Sequence, residues 1–168
     1  MDNRTNESTV YEGGQFLTFR LEQEMYGVPI HTVLEVLDYL PVTKLPGSKN
    51  ILKGVINLRG AVVPVADIRI KFGMSPTVQT KNTCIIVVNV FASGKGGQTT
   101  VGVLADQVME VADIASSDIQ QPPDMGTGIP AHYLHGIGKL GENFFMMLDV
   151  DAIIRDDMHM FTTTRAPV

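Results

Sequence analysis

The chain has 168 residues, 44% of them hydrophobic and 18% charged, with a net charge of −5. That length bounds one domain, or two small subdomains sharing a core, and a chain of this size buries roughly 70% of its unfolded surface without a covalent staple. With 13 Lys plus Arg and no basic run a phosphate backbone has little to hold, so nucleic acid is not an expected partner, and no apolar run approaches the roughly 20 residues that would insert in a membrane.

Met1 to Gly14 is polar and carries no signal-peptide pattern, so residues 1–14 are expected to be a disordered tail. Gln15–Leu21 alternates as a strand, Glu22-Gln23-Glu24 turns, and Met25–Val28 begins a second strand. Pro29 suits the first position of a helix, and Ile30, Val33, Leu34 and Leu37 follow at the i, i+3, i+4, i+7 spacing. Val36 and Leu40 fall outside that stripe, so a short helix is expected, turning to strand between Glu35 and Val42. Leu52 to Asp67 reads as two apolar, β-branched strands around a tight turn, with Gly60 supplying φ > 0. Pro64 cannot donate to a ladder, which predicts an edge strand or a bulge there.

Cys84–Val90 is a buried strand by its length and β-branching. Cys84 is the only cysteine; it is expected in the core of a reduced, cytosolic protein, and it excludes both an intrachain disulfide and a Cys-rich zinc site. Ser93 to Gly97 reads as a hairpin tip, without the spacing or following helix of a phosphate-binding loop. Val101–Leu104 returns as a strand, and Asp106–Ile114 reads as a short mixed segment. Tyr133–Leu140 and Phe144–Val150 pair around Gly141-Glu142-Asn143, Asp151–Met158 closes as a short helix, and residues 159–168 form a frayed tail.

Two windows recur in the same order. Gly27 to Val36 and Gly102 to Val111 both read G-V-x-x-x-x-V-x-E-V, 75 residues apart. Leu52 to Leu58 and Leu134 to Leu140 both read L-x-G-[VI]-x-x-L, 82 residues apart. A doubled set of short strands with Gly and Pro turns implies a mostly β protein, sandwich or barrel, whose two similar units pack on each other.

Chemistry is sparse. His132 and His135 would point to opposite faces of a strand, so they read as solvated and not as metal ligands. Asp149, Asp151, Asp156 and Asp157 read as strand-end and tail carboxylates, and no G-x-S-x-G is present. No catalytic, cofactor or metal residues are assigned. Arg59 has three readings: a solvated turn residue, a structural pair with Glu35 or Asp67, or a binding group whose fork grips carboxylates or carbonyls. The apolar window from Ile30 to Leu40 is either core or a groove for a partner helix.

Asn57-Leu58-Arg59-Gly60, preceded by Lys53-Gly54-Val55 and followed by Val63-Pro64-Val65 and Asp67-Ile68-Arg69, resembles the CheW family of chemotaxis coupling proteins. The likeness runs from about Phe16 to Ile154. It implies a CheW-like domain over 15–158, with approximate halves 15–80 and 81–158 forming two interleaved five-stranded SH3-like barrels over a shared core. It also implies a cytoplasmic adaptor without catalysis, recruited to membrane-associated receptor arrays. The implied partners are the cytoplasmic tip of methyl-accepting chemoreceptors and the regulatory domain of a CheA-type histidine kinase, with CheW–CheW contacts in arrays. Carried over by position, the receptor site is Ile30, Val33, Glu35, Val36 and Arg59. The alternatives are a CheW-like scaffold of another motility or signalling array, and a small-ligand-binding barrel or enzyme.

Overall fold

The computed structural model describes residues 12–46, 51–91, 97–122 and 128–157. Most of both expected tails and of the Ser93–Gly97 tip lie outside these residues. The chain folds into two β sheets. One has the order β8-β1-β2-β11-β10-β9, built from β1 (Gly14–Leu21), β2 (Glu24–Pro29), β8 (Gln107–Ile114), β9 (Ile119–Gln120), β10 (Leu134–Leu140) and β11 (Asn143–Leu148). The other has the order β3-β6-β7-β5-β4, built from β3 (Val33–Asp38), β4 (Leu52–Leu58), β5 (Ala61–Ala66), β6 (Cys84–Val90) and β7 (Thr99–Ala105). Each sheet closes on itself. Beyond a 3-10 turn (Ser116–Asp118), β8 continues as β9, which pairs with β10. Beyond β3 the chain reaches Thr43, which exchanges two backbone hydrogen bonds with Val55 of β4, at 2.8 and 2.9 Å. Counting each bent strand once gives two five-stranded barrels, here the first barrel (β1, β2, β8 to β11) and the second (β3 to β7).

The sequence repeats map onto this frame. Gly27 faces Met147 where β2 runs parallel to β11, and Gly102 faces Val65 where β7 runs parallel to β5. The L-x-G windows are β4 and β10, and each shifts register at the same place, Leu52/Gly54 and Leu134/Gly136. Each half of the chain therefore gives a hairpin to one barrel and the longer run of strands to the other.

Several local expectations are corrected. The helix after Pro29 is a single 3-10 turn (Ile30–Thr32), and β3 starts at Val33 instead of beyond Glu35. Antiparallel pairing with β6 outweighs the helical spacing, and β-branched Val33 and Val36 suit it. Asp106–Ile114 is no mixed segment: β8 pairs along nearly all of β1, and the Thr18 hydroxyl donates to the Glu110 carbonyl. Pro64 lies inside its sheet, not at an edge. Val55, opposite it, spends its N–H and C=O on Thr43, and the ladder to β7 starts only at Val65. No backbone N–H is therefore asked of residue 64, and the nearby bulge falls on β4. Cys84 is only partly buried, at the mouth of β6.

Burial follows the strands. Phe16, Phe145 and Met147 fill the first barrel, and Ile56, Val63, Val65, Ile85, Val87 and Leu104 fill the second. A third cluster joins them, with Leu17, Phe19 and Tyr26 from one barrel against Ile86, Val88 and Val103 from the other. It is capped by α1 (Ile68–Lys71) and α2 (Val150–Asp156), whose N-caps Asp67 and Asp149 accept from Arg69 N and Ala152 N. Among the described residues ionic contacts cross the junction at two places: Lys71 Nζ donates to Asp157 Oδ2 at 2.7 Å, and Arg69 gathers a larger group. The Arg69 guanidinium, 10% exposed, donates to both oxygens of Asp106, at 2.8 and 3.0 Å, to Glu22 Oε2 at 2.9 Å and to the Ser75 carbonyl at 2.9 Å.

Two outcomes follow from this packing. A Cβ at Gly54 would sit 2.2 Å from the Thr43 carbonyl oxygen, on the bond that closes the second barrel. Gly54→Ala should cost about 2 kcal/mol or more in denaturant melts. Tyr26 stacks between Phe19 and Phe72, and burial pushes its phenol up to about 12, with the charges of Glu24 and Glu22 adding to the shift. The folded state thus favours the neutral phenol. That contribution is whole below the ordinary value of 10.0 and is lost as pH rises toward 12. Alkaline unfolding in that window should coincide with a tyrosinate absorbance step that Tyr26→Phe removes.

Candidate functional site

The β4–β5 hairpin turns on two residues, because Leu58 pairs directly with Ala61. Arg59 has φ 51° and Gly60 φ 89°. Both central residues are left-handed, as a type I′ turn requires. Gly60 takes this conformation without strain. Arg59 takes it against its Cβ, at a cost of roughly 1 kcal/mol. Asn57 offsets part of this, since its Oδ1 accepts from Gly60 N at 2.9 Å.

The turn projects Arg59 outward, with its side chain 71% exposed. Its guanidinium spans the Glu35 carboxylate on β3, Nη2 on Oε2 and Nη1 3.5 Å from Oε1. That hydrogen bond and the charge of Glu35 push the Arg59 pKa further up. Asp67, the other partner considered, is engaged elsewhere: Oδ2 accepts from Thr77 N at 2.9 Å, and Oδ1 from the Thr77 hydroxyl at 2.8 Å. Arg59 is therefore in a surface ion pair. Val36, on β3, is 41% exposed, and Val62 stands exposed just past the turn.

Of the positions singled out in sequence, Glu35 and Arg59 meet in this pair, with Asn57 and Gly60 setting its turn, and Val36, next after Glu35 on β3, is exposed on the other side of the strand. Leu58 packs half-buried on the core of the second barrel. Ile30 and Val33 are half-buried against the central cluster where the chain crosses between barrels. Leu34, assigned by its spacing to a buried helical stripe, is 52% exposed, because the register shift between Val33 and Glu35 turns it outward. Leu34 belongs to the Ile30–Leu40 window read as core or groove, whereas exposed Val62 is not singled out in sequence.

Elsewhere several polar side chains serve the fold. Asp149 caps α2, and Asp151 accepts from Phe91 N at 3.0 Å. His132 lies 3.1 Å from Asp156, which also accepts the Tyr133 hydroxyl at 2.6 Å, and His135 is 4.0 Å from Asp149; both histidines are exposed. Among the described residues no three His, Cys, Asp or Glu side chains converge as metal ligands would.

Two small barrels fused over a common core, with an ion pair exposed at the β4–β5 turn, define a double SH3-like module. The chain belongs to the CheW family: the model of the CheW-like domain matches residues 15–158. It is 34% identical over 145 residues to the chemotaxis protein CheW of Klebsiella aerogenes, covering 86% of this chain and 84% of that one. Against the chemotaxis protein CheW of Helicobacter pylori it is 31% identical, covering 85% and 82%. The crystal structure of the scaffolding protein TtCheW from Thermoanaerobacter tengcongensis matches with a TM-score of 0.72 at 30% identity, over 82% of this chain and 85% of that one.

The turn itself can be tested. Asn57→Ala leaves Gly60 N without its side-chain acceptor and should lower stability by about 0.5–1 kcal/mol in denaturant melts.

Proposed function

We infer that this protein is a non-catalytic adaptor of chemotaxis signalling that couples methyl-accepting chemoreceptors to a CheA-type histidine kinase. The observation that carries this reading is the match to the CheW-like domain over residues 15–158, on a double-barrel fold shared with a CheW scaffolding protein. In this reading the receptor's cytoplasmic tip, a helical hairpin, lies against Glu35, Val36 and Arg59, with Ile30 and Val33 at the inner edge of the contact. The Arg59 fork has five donors, and the Glu35 carboxylate occupies only part of them. The remainder are free for a carboxylate or for helix-end carbonyls of the receptor, while exposed Val36 and Val62 supply apolar contact.

The regulatory domain of the kinase takes the barrel ends, and further CheW–CheW contacts extend the array. The adaptor works in the cytoplasm and reaches the membrane through its receptors. No helix among the described residues is long and apolar enough to cross a membrane itself.

Reconstitution with a receptor cytoplasmic fragment and a CheA-type kinase tests the reading. A ternary complex should co-sediment. Arg59→Ala should weaken receptor binding by roughly tenfold or more while leaving the melting midpoint nearly unchanged, because its side chain packs on no core. A large loss of stability with unchanged affinity of the folded fraction would make Arg59 structural. Failure of the wild-type protein to bind either folded partner would overturn the adaptor reading.

A further inference from the structure

A second recessed surface lies on the first barrel, the one that does not carry Arg59. Two hollows of about 400 and 510 Å³ share Glu24, Met25 and Phe144, so they adjoin along one recessed surface, here called the groove. Its apolar lining includes four methionines, Met25, Met74, Met109 and Met146, beside Phe72 and Phe144. Phe144 is 53% exposed and Met109 46%, an unusual cost for side chains of that size unless something covers them. Methionine is unbranched and polarisable, so a methionine-lined groove adapts its shape to the side chains it receives.

The charges lining the groove are acidic on balance, two carboxylates against one guanidinium. Glu24 and Glu142 line it, are exposed, and form no ion pair or side-chain hydrogen bond among the described residues. Arg20, the basic residue of the lining, donates to two neutral acceptors, Gln107 Oε1 and the Glu22 carbonyl, so its charge stands against the two carboxylates. Lys139, across the hairpin from Phe144, lines neither hollow. The β10–β11 turn makes the contrast with the other barrel. It is the second-half counterpart of the β4–β5 turn, and it presents Gly141 and Glu142 where that turn presents Arg59 and Gly60. The second barrel thus offers a cation, and the first barrel offers carboxylates beside an apolar floor.

We propose that the groove of Met25, Met74, Met109, Met146, Phe72 and Phe144 docks an amphipathic helix of a protein partner, its apolar anchors flanked by lysine or arginine. The lining comes from β2, β8, β11 and the segment after α1, so recognition runs through side chains, as a helix provides at i, i+3, i+4 and i+7. Glu24 and Glu142 select the basic flanks. This site is independent of the receptor assignment at Arg59.

The probe is a synthetic helical peptide of roughly 16 residues, with Leu and Phe anchors on one face and Lys flanks, titrated into the full chain labelled at its methionine methyls. The signals of Met25, Met74, Met109 and Met146 should move, and that of Met147, inside the barrel, should not. Phe144→Ala should weaken binding about tenfold. Glu24→Gln combined with Glu142→Gln should weaken it about threefold or more at low salt, and less at high salt. Arg59→Ala should leave it unchanged. Equal binding of a peptide with Glu flanks, or loss of binding on Arg59→Ala, would overturn the proposal. Shifts of the same methyls with protein concentration alone would give the groove to a second copy, and shifts on removing residues 158–168 would give it to this chain's own end; either result also overturns it.

Discussion

The arrangement of the two barrels depends on the carboxylate cage around Arg69. A guanidinium that is nine-tenths buried is tolerated only when its charge and its donors are both answered. Asp106 meets Nη1 with both oxygens, Glu22 meets Nη2 and the Ser75 carbonyl meets Nε. The groups that answer it come from different parts of the fold. Arg69 is on α1, which follows the second barrel; Glu22 is in the β1–β2 turn of the first; Asp106 sits where the chain passes from β7 to β8. Asp106 also accepts the Glu22 N–H at 2.6 Å and donates its own N–H to the Arg20 carbonyl at 3.0 Å. The apolar cluster between the barrels supplies most of the contact, but apolar burial has no direction. The cage does, and it fixes how one barrel is set against the other.

Much of this fold is legible in sequence because the chain states it twice. The G-V and L-x-G windows mark equivalent strands, and they predict two like units even though neither window is long. The Asp67 and Asp149 caps repeat the same pattern, one residue past β5 and β11. What escapes sequence reading is set by partners far along the chain. Ile30, Val33, Leu34 and Leu37 satisfy a helical spacing, and only the presence of β6 makes the segment a bulged strand. β8 lacks clean alternation and becomes a strand because β1 has an unpaired edge to offer. Glu22, Arg69 and Asp106 carry no mutual signal at all, since nothing local to residue 69 says that two carboxylates await it.

The candidate site divides in the same way. Asn57 and Gly60 announce a hairpin turn by residue type. The left-handed backbone of Arg59, which throws its side chain clear of the barrel wall, is not announced, because an arginine in that conformation is uncommon. Its pairing with Glu35 depends on β3 lying beside the turn, and hence on the closure of the second barrel through Thr43 and Val55. An adaptor has no bond to make or break. Its work is to hold surfaces at a set separation and angle, so the junction between barrels matters to function as much as the surfaces do.

The distance between the barrels is therefore the most direct measurement. Spin labels at exposed Val62 of the second barrel and Val111 of the first, in a Cys84→Ser background, report it by pulsed dipolar spectroscopy. If the Arg69 cage sets the geometry, the wild-type distribution is a single narrow peak, and Arg69→Met, still folded by circular dichroism, gives a broadened or displaced one. An unchanged narrow peak in folded Arg69→Met would contradict the account and leave the apolar cluster, with the Lys71–Asp157 pair, as the determinant of the arrangement.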